Sequence, residues 1–103
     1  MIQINKKGVE VTVTPIGDVV AGPVDDLKIE ILELVHYEYT SIIVDMKNVQ
    51  MIDSMGIGML VSVKNSLVRY GGELTLINTL HEISEIFKIM QLNKHFVIAE
   101  KAL

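Results

Sequence analysis

The chain has 103 residues, half of them apolar, with nine Lys and Arg against thirteen Asp and Glu and a formal net charge of -4. A chain of this length is about one domain and buries roughly two-thirds of the surface its unfolded form exposes, while no apolar run is long enough to span a bilayer and the opening MIQINKKGVE lacks a signal peptide's apolar stretch. With no cysteine, no ligand spacing among His36, His81 and His95, no Lys/Arg run and no Trp, the composition argues against disulfides, thiolate chemistry, a metal site, nucleic acid and anionic membranes. A soluble, cytosolic single domain over residues 1–103 is expected, with no cofactor and with another protein or a small ligand as its partner.

IQI and VEVTVT alternate apolar and polar residues around the turn-like NKKG, the pattern of an antiparallel hairpin with one face buried. After PIGDVVAG, Pro23 suits a first helical position, and Asp25 and Asp26 complement the helix dipole in the first turn. Val24, Leu27, Ile31, Leu34 and Val35 recur at helical spacing and predict an amphipathic helix ending near Tyr37. SIIVDM is a nearly continuous apolar run, read as a central strand either covered on both sides or flanked by covered neighbours. From Ser54 to Tyr70, the residues Leu60, Val63, Leu67 and Tyr70 share one helical face, and YGG supplies the glycine of a helix end. ELTLIN predicts another strand. TLHE then offers a capping box, Thr79 with Glu82, ahead of the Ile83, Ile86, Phe87 and Met90 face of a third helix, and HFVIAE closes as a last strand. The order β-β-α-β-α-β-α-β predicts an α/β fold whose mixed sheet has a parallel portion packed by helices.

MIDSMGIGMLV sets Asp53 and Ser54 before Gly56 and Gly58 at the mouth of the second predicted helix. Asp or Ser there is a favoured N-cap, worth about 1 kcal/mol. Each glycine costs up to roughly 1 kcal/mol against alanine in a helix interior, which close packing on the sheet would explain. Phosphate binding at the helix amides is disfavoured: Val61 stands where a dinucleotide fingerprint needs its third glycine, there is no Gly-Lys-Ser/Thr loop, and Asp53 repels an anion. A serine nucleophile is also disfavoured, since IDSMG is not a GxSxG elbow and no histidine has the context of a base. The remaining chemistry is modification of Ser54, because a phosphate adds nearly two negative charges that the dipole tolerates but Asp53 and an apolar docking surface do not. These physical rules leave capping and modification both open.

IIVDMKNVQMIDSMGIGMLVSVKNSLVRYGGELTLIN resembles the signature region of the STAS domain, specifically of the bacterial anti-sigma factor antagonists. The family pattern runs from an apolar strand ending in Asp, through V-x-x-I-D-S-x-G-(I/L)-G-x-L, to a helix, a glycine-rich turn and the next strand. The resemblance continues through EIFKIMQLNKHFVI, so it covers nearly the whole chain. It implies a non-enzymatic protein that binds an anti-sigma factor and so frees a sigma factor. That anti-sigma factor is a serine kinase of the GHKL type, which phosphorylates the serine after the motif Asp, and a PP2C-type phosphatase reverses the step. Carried over, Ser54 is the phosphorylation site and Asp53 the neighbouring acid that helps position it. Met55, Gly56, Ile57 and Gly58 form the helix start on which the partner docks, with Met55 and Ile57 open to a second reading as core filler.

One loop departs from the family pattern. Where the family commonly reads G-E-L-D, with its Asp near the phosphorylated serine, this chain reads GDVV at positions 17–20, and Val20 replaces that Asp. Ala21 and Gly22 follow in the same partner-facing loop, and Pro23 stands where a Thr is usual. The alternative expectation keeps the fold and removes the switch: a constitutive STAS scaffold or an accessory subunit of a signalling complex or lipid-transport ATPase, with Ser54 capping its helix.

Overall fold

A computed structural model describes residues 2–35 and 39–102. A hairpin of β1 (Ile2–Lys7) and β2 (Glu10–Pro15) leads into α1 (Pro23–Leu32), followed by β3 (Ser41–Asp45), α2 (Ser54–Val68), β4 (Glu73–Ile77), α3 (His81–Ile89), a short 3-10 turn (Leu92–Lys94) and β5 (Val97–Ile98). The strands lie in the order β1-β2-β3-β4-β5, the first pair antiparallel and the rest parallel, so each parallel neighbour is reached through one helix. The mixed α/β fold is therefore the one that the element order predicts.

Alternation along the strands divides the sheet into unequal faces. Val11 and Val13 of β2, Ile42 and Val44 of β3, and Leu74 and Leu76 of β4 are buried in the core with Leu27, Ile31, Leu60, Val63 and Leu67 from the helices. In the next register row, Thr12 and Ile43 are only half-buried. Of the two readings of SIIVDM, a strand between covered neighbours fits: β3 lies between β2 and β4, with Ser41 and Ile43 half-buried and Ile42, Val44, Asp45 and Met46 buried.

Several local expectations are corrected. Asn5, Lys6 and Lys7 extend β1, Lys7 pairs with Glu10, and the turn falls at Gly8, whose φ of 63° a tight hairpin requires and glycine adopts freely. The first helix stops at Leu32, since the Leu34 and Val35 amides reach back only three residues, to Ile31 and Leu32, in a tightened turn. The predicted end at Tyr37, like His36, lies outside the described residues.

The Thr79 and Glu82 capping box does not form. The N-cap of α3 is Leu80, which makes no side-chain cap, and the Thr79 amide is drawn 3.1 Å to the Ala99 carbonyl. That pairing turns Thr79 inward, where it is 1% exposed and its hydroxyl has no partner among the described residues. On α3, Ile83 and Phe87 are buried, whereas Ile86 and Met90 stand exposed. The last strand keeps only Val97 and Ile98 of HFVIAE: His95 closes the 3-10 turn, and Phe96 packs edge-on against Phe87 with ring centroids 5.6 Å apart.

Candidate functional site

The loops that leave β2 and β3 run side by side, and two aspartates tie them. Asp18 Oδ1 accepts hydrogen bonds from the Gln50 amide at 2.9 Å and the Met51 amide at 3.1 Å. Val19 and Ile52 form a parallel bridge, with the Val19 amide donating to the Met51 carbonyl at 3.1 Å. From the second loop Asp53 answers: its Oδ2 accepts the Ala21 amide at 2.9 Å while its Oδ1 accepts the Gly56 amide at 2.9 Å. One carboxylate thus caps α2 and anchors the start of the segment that leads into α1. The Ala21 amide first, and the Gly56 amide after it, hold the Asp53 carboxyl below the ordinary carboxylate range, with partial desolvation opposing them.

This arrangement assigns the cap. Asp53, in an extended conformation, is the N-cap of α2, and Ser54 is the first helical residue. The reading of Ser54 as the cap is corrected, since its side chain is exposed and makes no hydrogen bond among the described residues. With Gly56 N–H already taken by Asp53, the helix start is also a poorer cradle for a free anion.

The two motif glycines serve different ends. A Cβ on Gly56 would collide with the Val19 carbonyl oxygen and lie 2.8 Å from Ile52 Cγ1 and 2.9 Å from Val19 Cγ1, so glycine lets α2 press against the stapled loops rather than the sheet. A Cβ on Gly58 would meet nothing within 4 Å. The packing reason expected for both glycines therefore holds for Gly56 alone.

Gly58 instead floors a groove of about 280 Å³ between α1 and α2, lined also by Asp25, Lys28, Ser54, Met55 and Met59. Ser54 and Gly58 are one helical turn apart, so the hydroxyl stands beside a spot with no side chain. Met55 is 54% exposed, whereas Ile57 is 6% exposed and belongs to the core, so the expectation of Ile57 as an exposed contact is corrected. Of the first loop, Ala21 and Gly22 are exposed and Val20 is half-buried. Gly22, at φ 97°, is the N-cap of α1 directly before Pro23.

Sequence reasoning missed three participants. Asp18 gave a signal as an acid in a strand-to-helix loop, where unpaired amides collect. Asp25 reads only through the helix dipole and Lys28 is singled out by no motif, and the docking of α1 beside α2 turns both to the groove. Among the described residues no group of His, Asp or Glu is placed to hold a metal ion, and no helix is long and apolar enough to cross a membrane.

A five-stranded mixed sheet carrying an exposed serine at the head of its second helix, behind an aspartate cap, defines a small α/β domain. The sequence pattern of the STAS domain matches residues 1–102, and the chain belongs to the STAS domain family. No curated protein matches it by sequence. Among solved structures it is similar to a candidate anti-sigma factor antagonist from Thermotoga maritima, at 17% identity and a TM-score of 0.88, over 95% of this chain and 85% of that one. It is also similar to the phosphorylated form of SpoIIAA, a Bacillus cell fate determinant, at 19% identity and a TM-score of 0.75, over 96% and 91% of the two chains. The murine anion transporter Slc26a9 contains a similar region, at 13% identity and a TM-score of 0.80, with 96% of this chain matching 17% of the transporter. At such identities these likenesses establish the fold.

Proposed function

We propose that the protein is an anti-sigma factor antagonist, a non-enzymatic cytoplasmic switch that binds an anti-sigma factor and is turned off by phosphorylation of Ser54. The observation that carries this reading is the Ser54 hydroxyl: it is exposed, unbonded among the described residues, and relieved of capping by Asp53. A phosphate there sits at the positive end of the α2 dipole, so the fold tolerates it, while two added charges beside Met55 and Gly58 oppose docking of an apolar partner surface. Gly58 supports the same reading, since glycine in that position lowers helix stability and fills no packing need, but leaves room for a partner's backbone or side chain.

Asp53 positions Ser54 indirectly, by fixing the helix start to Ala21. The docking surface comprises Met55 and Gly58 of α2 with Val20, Ala21 and Gly22 of the neighbouring loop; Gly56 and Ile57 shape it from beneath. The kinase is a GHKL-type anti-sigma factor and the phosphatase a PP2C-type enzyme. The test is incubation with candidate kinase-type anti-sigma factors and ATP, followed by mass spectrometry. One added phosphate that disappears in Ser54→Ala is expected, and Ser54→Asp is expected to lose the partner; retention of full affinity by Ser54→Asp would refute the charge switch.

Val20, standing where the family carries Asp, and the likeness to part of an anion transporter favour a second reading, a constitutive scaffold. A stable complex with the partner that never gains mass would select it.

A further inference from the structure

A cavity of about 930 Å³ opens along the β5 edge of the sheet, between α2, α3 and the C-terminal segment, and shares no residue with the Ser54 groove. Lys64, its contribution from α2, is ten residues beyond Ser54, about 15 Å along the helix. Its size falls within the range of small-molecule sites, roughly 300–1,000 Å³.

The charge around it contrasts with the rest of the chain. Lys64, Lys88, Lys94 and Lys101 line the cavity, four of the nine Lys and Arg in a chain of net charge -4. Lys88 makes a long contact of 3.7 Å with Glu85, and the other three have no ion-pair partner among the described residues. Of the lining acids, Glu100 is occupied by His81 at 3.0 Å, which leaves Glu73 as the acid without an ion-pair partner there. Four lysines thus line one opening against two carboxylates, Glu73 and Glu100.

Two further features belong to a binding site rather than a charged surface. Ser84 lies in the wall one helical turn from Lys88, is 7% exposed, and its hydroxyl has no hydrogen-bond partner among the described residues. Buried hydroxyls are normally partnered, so Ser84 holds an unused donor and acceptor just beneath the cavity wall, its oxygen sealed from solvent until the side chain rotates toward the opening. Leu74 and Phe96 supply an apolar floor. The edge strand adds backbone: Ala99 N–H donates to the Leu76 carbonyl, so the alternating Ile98 N–H and C=O point away from β4.

We propose that this cavity binds an organic phosphate monoester, its apolar body on Leu74 and Phe96 and its dianion among Lys64, Lys88 and Lys94, with Ser84 completing the hydrogen bonding. Such a site, remote from Ser54, gives the domain a small-molecule input separate from its serine.

The test is a ¹H–¹⁵N NMR titration of the full chain with phenyl phosphate at low salt, with phenol as the neutral control. Saturable shifts confined to Ser84, Lys88 and residues 93–99 are expected, weakening about threefold to tenfold in Lys88→Met/Lys94→Met and in Ser84→Ala. Both variants should fold, since the lysines are exposed and Ser84→Ala removes a hydroxyl that bonds to nothing. Shifts that never saturate, equal binding of phenol, or unchanged affinity in both variants would each overturn the proposal.

Discussion

Two glycines in one motif, two residues apart, are expected to respond to alanine with opposite signs. In Gly56→Ala the new methyl meets the Val19 carbonyl oxygen, Ile52 Cγ1 at 2.8 Å and Val19 Cγ1 at 2.9 Å. The carbonyl has little freedom to retreat, because it accepts the Asp53 amide and belongs to the bridge between Val19 and Ile52. Overpacking costs about 1–3 kcal/mol, and a clash with fixed backbone lies at the upper end. Subtracting the roughly 1 kcal/mol that alanine returns to a helix leaves a net loss of about 2 kcal/mol. In Gly58→Ala nothing is struck, so the propensity gain of up to about 1 kcal/mol remains. For a domain of this size these changes correspond to a Tm lower by ~8–16 °C and higher by ~4–8 °C respectively. Far-UV circular dichroism melts of the isolated protein, checked by urea unfolding, read both. A Gly56→Ala protein as stable as wild type, or a Gly58→Ala protein less stable, would refute the assignment of Gly56 to packing and Gly58 to open surface. The same Gly58→Ala variant should bind the partner more weakly while being more stable, as expected of a residue retained for contact at the expense of stability.

Three further outcomes follow from the hydrogen bonding. Because the Asp53 carboxyl is held below its ordinary range when folded, its stabilisation is present above about pH 4 and is lost as pH falls through the depressed value, so Tm of wild type and Asp53→Asn should converge in acid. The His81 pKa is raised, chiefly by its hydrogen bond to Glu100 and then by the charges of Glu100 and Glu85. That contribution is complete below about pH 6.5 and is lost as pH rises through the raised value, so the protection factor of the Ala99 amide, taken relative to the base-catalysed intrinsic rate, should fall above neutrality in wild type and lose this dependence in His81→Gln. Thr79→Val removes a buried hydroxyl that bonds nothing and should raise the urea midpoint by the equivalent of about 1 kcal/mol, the opposite of what loss of a helix cap would do.

Periodicity exposed the parts of the fold that are written locally. The alternation of VEVTVT, the helical spacing of Leu60, Val63 and Leu67, and the glycine after α2 all reappear as structure, because each states a burial face or a turn within a few residues. Thr79 misled for the reverse reason: its local pattern is a capping box, but a tertiary contact with Ala99 claims its backbone. Ile57 misled in the same way, since a helix start viewed alone does not reveal that β2's loop lies across it. The motif Asp53-Ser54 was legible as a site, yet the division of labour between them was not. That division depends on Ala21 and Asp18, residues more than thirty positions away whose approach no spacing rule announces.

On the proposed function, the stapled loops also bear on when the chain becomes competent to switch. Asp53 and Ala21 are separated by 32 residues, as are Asp18 and Gln50, so the contacts that shape the platform join the two strand ends that the parallel pairing of β2 and β3 brings together. Loop closure over that separation is an entropic hurdle crossed late relative to local helix formation. A chain still folding presents Ser54 on an unanchored helix end, without the ordered loop beside it. On the proposed function, an enzyme that reads both loops together would modify finished molecules and pass over nascent ones, so that the phosphorylated pool counts only protein able to act.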